Sequence, residues 1–204
     1  MPVTAKDAAD DCLARARGVL GTAATSGGAR DDVARMALVM GVAALDTYMH
    51  AVVRARLSYN RGALPNALLR LDLPFEELTS LAETALAAQR AGRSTRPWVQ
   101  VTNALHRRLL TATFQSCRGV EWAMALAGVG NVWNQVATGL NCTADEVKAR
   151  LTSIVHRRNQ IVHEGDLRRL VRPRQVDYNC IDAAQVPADL HWLAELIAAL
   201  DSIL

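Results

Sequence analysis

Lysine is almost absent from this chain. Of its 23 basic residues only Lys6 and Lys148 are lysines, and the rest are arginines. Arginine suits bidentate contact with phosphate, but a genome whose base composition favours Ala and Arg codons produces the same bias. Aromatic residues are scarce at 4%. Ala and Leu dominate instead, which favours helices over sheets. Cysteine forms no pattern: Cys12, Cys117, Cys142 and Cys180 are scattered, with no Cys-x-x-Cys pair. Such spacing builds neither a zinc site nor a disulfide framework, so no metal and no cofactor are expected. The longest apolar run, Met36 to Leu45, is too short to span a bilayer. Residues Met1 to Asp7 carry no apolar signal region. The expectation is a reduced, cytoplasmic protein without membrane contact. The net charge of +3 is too small to argue for nucleic acid by itself.

What is present is helical periodicity. With 204 residues, half of them apolar, the chain is long enough for a single large domain, 1–204, with a sizeable core. The pattern predicts helices over 4–25, 30–59, 75–91 and about 97–116. It predicts two short ones within 119–140, then 143–164 and 187–204, with a short helical turn at 65–71. From Met36 to Val53 the second helix is apolar on nearly every side, which marks a helix surrounded by others. Asp46 is the only carboxylate in that span. Thr143 with Glu146 three residues on forms a capping box, which starts the helix of 143–164.

That helix breaks its own pattern near its end, at His156-Arg157-Arg158-Asn159-Gln160-Ile161-Val162-His163-Glu164-Gly165-Asp166. At about 100° per residue, Val147, Leu151, Ile154, Val155, Ile161 and Val162 fall within an arc of roughly 120°. Arg158 projects into the middle of that arc, and Asn159 and His163 sit together beyond one edge. Either Arg158 is buried against a carboxylate, or the stripe ends in a polar pocket or interface. Asp46 is the acid available for it, since burying an unpaired charge is costly. The expectation is that the 30–59 helix packs on the 143–164 helix with Asp46 facing or near Arg158. The alternative is that Asp46 simply reaches the surface. From Lys148 to Arg174 there are eight basic and two acidic residues, so the positive charge concentrates here. Arg157, Arg168, Arg169, Arg172 and Arg174 are candidates for phosphate contact.

These residues carry a family resemblance. Arg158-Asn159-Gln160-Ile161-Val162-His163 is similar to the Arg-x(4–6)-His signature of HEPN domains, in the version with Asn after the Arg. The string Ile161 to Asp166 resembles the RiboL-PSP-HEPN branch. Ala43-Ala44-Leu45-Asp46-Thr47-Tyr48 resembles that branch's earlier helix, with its acidic residue and nearby aromatic. The resemblance implies an all-α, HEPN-like up-and-down bundle. Residues 61–140 match nothing in that pattern and are expected to be a helical insertion in the middle of the chain. It also implies a homodimer in which two copies of the 143–164 helix face each other. In active members it implies metal-independent RNA cleavage, with Arg158, Asn159 and His163 catalytic and Asp46 and Glu164 supporting. A toxin or defence role, with a neutralising antitoxin or regulatory partner, comes from the resemblance alone. A non-catalytic RNA- or nucleotide-binding module and a purely structural helical interaction domain are the alternatives.

Overall fold

The computed structural model describes residues 3–59, 65–72, 74–92, 97–168 and 175–204. Among these the protein is all-α, with one isolated antiparallel bridge between Leu167 and Tyr178. Helix α1 (Ala5–Gly21) opens on a capping box in which Thr4 and Asp7 exchange backbone and side-chain bonds of 3.0 and 2.9 Å. Two short 3₁₀ turns, Thr22–Thr25 and Gly27–Ala29, lead into α2 (Arg30–Tyr59).

Next come α3 (Asn66–Leu69), α4 (Phe75–Arg90) and α5 (Pro97–Leu110). They are followed by α6 (Cys117–Leu126), α7 (Val132–Gly139), α8 (Ala144–Glu164) and α9 (Val186–Asp201). The expected capping box at the start of α8 is present, with Thr143 N–H donating to Glu146 Oε2 at 2.8 Å.

Helix α2 is the hub. It packs along α1 and also meets α5, α6, α8 and α9. By length and composition it could cross a bilayer, but more than half of its most apolar window is buried inside the fold. It is not apolar-covered all round, however. Met36, Ala43 and Thr47 are exposed, so one stripe faces solvent. Gly41 lets α9 approach closely, because a Cβ there would overlap the Leu190 side chain. Tyr48 is fully buried and donates its hydroxyl to Asp201 at 3.1 Å, tying α2 to α9. Burial and the neighbouring carboxylate push the Tyr48 hydroxyl pKa well above its usual value.

The 61–140 segment has two characters. Helices α6 and α7 pack on α2, α8 and α9 and bury Val120, Met124, Leu126, Val132, Trp133 and Val136. Helix α4 buries none of its residues, packs on α5, and leaves Phe75, Leu78 and Leu86 exposed. Helix α5 ends at Leu110 rather than near 116. The chain turns there because the Phe114 amide is taken by Asp46 Oδ1 at 2.6 Å, and Ser116 then caps α6. Trp133 is core, while Trp122 is half-exposed beside Phe114 with ring centroids 5.3 Å apart.

Candidate functional site

Helix α8 presents two polar flanks at its C-terminal end, separated by about 100° between neighbouring residues. On one flank Arg158 Nη1 donates to Asn159 Oδ1 at 3.1 Å and lies 3.3 Å from His163 Nε2. A guanidinium only donates, so the imidazole Nε2 is the accepting atom of this contact. The three residues named from the sequence are therefore brought together in one protomer. His163 is exposed, and Arg158 and Asn159 are half-buried. Arg158 Nε is buried and has no hydrogen-bond partner. A buried donor left without an acceptor is costly. No described carboxylate lies within ion-pair distance of Arg158.

The expected Asp46–Arg158 pair does not form. Helix α2 does pack on α8, but Asp46 is satisfied by the Phe114 amide, with His50 Nε2 at 3.8 Å. The reason is register. The α2 residue at the level of the motif is Arg35, and Asp46 lies three turns further along, about 16 Å away at 1.5 Å per residue. Cys117, just past the Phe114 turn, confirms that level by contacting the Lys148 carbonyl and Thr152 on α8 at 3.4 Å.

The other flank belongs to Asp166, which is 2% exposed. Gly165 ends α8 with φ 60°, and Asp166 follows with φ 56°. Both amides return to the Gln160 carbonyl. A left-handed, non-glycine residue needs outside support, and here it is abundant. Arg35 Nε donates to Asp166 Oδ2 at 2.5 Å. Arg157 Nη1 donates to Oδ1 and Nη2 to Oδ2, the latter at 2.8 Å. Asn179 donates its backbone N–H to the Asp166 carbonyl at 2.8 Å and its side-chain amide to the same oxygen at 3.2 Å. Both arginines also reach beyond the carboxylate. Arg35 Nη2 donates to the Asn179 carbonyl at 2.8 Å, and Arg157 Nη2 to the Cys180 carbonyl at 3.3 Å. Burial works to raise the Asp166 pKa, but the bonds from Arg157 and Arg35 outweigh it and hold the carboxyl down at about 2.

Arg157 is thus placed differently from the expected phosphate contact, because its guanidinium is committed to Asp166. Arg168 is exposed and lies 3.6 Å from Asp177, a surface pair of small worth. Arg169, Arg172 and Arg174 lie outside the described residues. Glu164 is half-buried at the end of α8, and its carbonyl accepts from the Leu167 amide. Arg35 and Asn179 are functional neighbours that the sequence pattern does not single out. The only available signal is Asp166 following Gly165, since an acid directly after a helix-ending glycine is poised to turn back.

Clefts lie between α4 and α5, between α2 and the chain ends, beside the 180–189 segment, and at the start of α6. None of these four is lined by Arg158, Asn159 or His163. Val162, between them in the chain, is 45% exposed. Among the described residues no group of three or more His, Cys, Asp or Glu side chains converges on a point a metal ion could take. The four cysteines are free thiols.

Comparison with known proteins extends what the motif suggested. Searches of curated proteins and of solved structures gave no significant match. The model of the family described as RiboL-PSP-HEPN matches residues 19–204, which takes in α2, α8 and everything between them. With the match spanning nine-tenths of its length and the motif intact on α8, the chain belongs to the RiboL-PSP-HEPN family.

Proposed function

We propose that this protein is a metal-independent endoribonuclease of HEPN type, acting as a cytoplasmic homodimer in a toxin or defence role. The observation that carries the reading is the Arg158–Asn159–His163 cluster, in which the arginine has no opposing carboxylate among the described residues and keeps an unpartnered Nε. RNA is cut when a ribose 2′-oxygen attacks the adjacent phosphorus. A base takes the 2′-hydroxyl proton, the P–O5′ bond breaks, and an acid protonates the departing 5′-oxygen. The products are a 2′,3′-cyclic phosphate and a 5′-hydroxyl. His163 is the acid or base. Arg158 neutralises the charge that builds on the phosphoryl oxygens, and Asn159 orients the arginine. Arg168 and the arginines after it, Arg169, Arg172 and Arg174, guide the RNA backbone. Asp46 acts at a distance, by holding the Phe114 turn, and Glu164 supports the end of the helix.

One protomer supplies only one histidine. Pairing two copies of α8 across a two-fold axis supplies two, one for each proton transfer. Val162 and Met36, both exposed and apolar, support such a face, and a neutralising partner protein would compete for it. The domain is 1–204, with residues 61–140 as a helical insertion within it.

The test is incubation of total RNA in EDTA with the wild type and with His163→Ala. Cleavage by the wild type alone, with both proteins equally helical by circular dichroism, is the expected result. No cleavage of any RNA by the wild type sinks the enzymatic reading. A second reading, a non-catalytic RNA-binding module, is favoured by one observation: His163 Nε2 already engages Arg158. It predicts salt-sensitive RNA binding without cleavage.

A further inference from the structure

The Asp166 cluster is a fold-wide investment that the proposed chemistry does not use. It draws donors from α2, from α8 and from the returning segment at Asn179, and all of them converge on one nearly buried carboxylate. That carboxylate lies three residues past His163 in the chain. Helix ends fray, and the last turn is the least held part of any helix. His163 sits in that last turn, and its contact with Arg158 spans five residues, so it exists only while the turn is wound.

The cluster removes the freedom to unwind. The Gly165 and Asp166 amides close back on the Gln160 carbonyl. Arg157, nine residues earlier on α8, grips Asp166 from the helix itself, and Arg35 grips it from α2. The same node fixes the chain that leaves the helix. Asn179 N–H bonds the Asp166 carbonyl, and Arg168 N–H bonds the Asp177 carbonyl, both at 2.8 Å.

We propose that Asp166, held by Arg35 and Arg157, is the positioning residue of the site: it winds the last turn of α8 and so sets His163 against Arg158. The inference rests on the reading of Arg158 and His163 as the reacting groups. Asp166 touches neither substrate nor those two side chains. Its carboxylate also occupies Arg157, which keeps that guanidinium out of the competition for phosphate and leaves Arg158 as the motif's available cation.

The experiment uses the full chain with Asp166→Asn, which keeps the size and removes the charge, and with Arg35→Gln, which removes one arm only. Amide hydrogen exchange is read first, without RNA. Amides of His163, Asp166, Arg168 and Asn179 are expected to exchange roughly tenfold to a hundredfold faster, while those of Leu151 and Leu193 stay protected. Single-turnover cleavage of a short RNA is then compared with binding of the same RNA carrying a 2′-deoxy sugar at the cleaved position. The rate is expected to fall by about tenfold or more, and affinity to change by less than about threefold, because Asp166→Asn removes a negative charge and leaves every arginine in place. Arg35→Lys is expected to restore part of the rate. Unchanged exchange at His163 in both variants overturns the proposal, as does a rate that falls only in step with affinity. If the wild type cleaves nothing, the enzymatic reading fails while the exchange result still decides whether Asp166 winds the turn.

Discussion

Arg157 and Arg158 are neighbours in the chain and have opposite fates. Arg157 turns toward a buried carboxylate and two backbone carbonyls, and its charge is spent inside the protein. Arg158 turns toward Asn159 and His163, meets no described carboxylate, and keeps a buried Nε without an acceptor. One arginine therefore holds the structure, while the other has unused bonding capacity beside a histidine. Unused capacity is what a binding site needs, and a fold that supplied a second carboxylate to Arg158 would have been more stable and less able to take phosphate.

The contrast can be broken most severely at the chemistry. Arg158→Ala or His163→Ala is expected to lower RNA cleavage by about 10²–10⁴-fold, measured in chelator. The melting midpoint should barely move for His163→Ala, since that side chain is exposed. Asp166→Ala does the reverse on the other flank. It strands two largely buried guanidinium groups, and unfolding in urea should show a loss of about 3–5 kcal/mol.

Methionine at the two arginine positions sharpens the comparison. Arg157→Met leaves Asp166 with half its partners and is expected to cost about 2–3 kcal/mol. Arg158→Met removes a donor that already lacks an acceptor, so denaturant midpoints should stay level or rise. A large loss for Arg158→Met would mean that its charge is structurally satisfied after all.

The acid limb of stability gives a smaller effect. Asp166 has a depressed pKa, so its contribution is fully present above the unfolded carboxyl value and is lost as pH falls toward about 2. Roughly 2 kcal/mol should disappear between about pH 4 and pH 2, and Asp166→Asn should remove that slope. Smallest of all, Arg168→Gln should leave stability unchanged and lower the salt dependence of RNA binding by about one phosphate contact.

Local features are legible in the chain itself. The Thr143–Glu146 box places the start of α8, and the glycine at 165 places its end. Asn159 and His163 share one side of α8 because they are four residues apart on a helix, and the long Arg158 side chain reaches across to both. The α2 bounds, 30–59, follow from a long apolar periodicity ended by turn residues. Where expectation and structure part, the cause is a contact far away in the chain. As the single acid of an apolar helix, Asp46 has the pattern of a partner for Arg158, yet it binds the amide of Phe114. That same bond explains why α5 stops at Leu110. The 61–140 segment also divides, with α6 and α7 in the core and α4 outside it, and apolar periodicity alone does not distinguish a face that is buried from one that is left open.

The amino-acid sequence by itself determined that the chain is helical, where α8 begins and ends, and that an asparagine and a histidine share one side of its last turns with an arginine beside them. Those properties depend on neighbours within a few residues, and backbone geometry propagates them without outside help. Only the tertiary structure decided which arginine receives the carboxylate. That choice joins Arg35 to Asp166 across 131 residues, and it depends on the register between two packed helices. Periodicity gives each residue an angle around its own axis, but the level at which a neighbouring helix meets it comes from how the whole bundle packs.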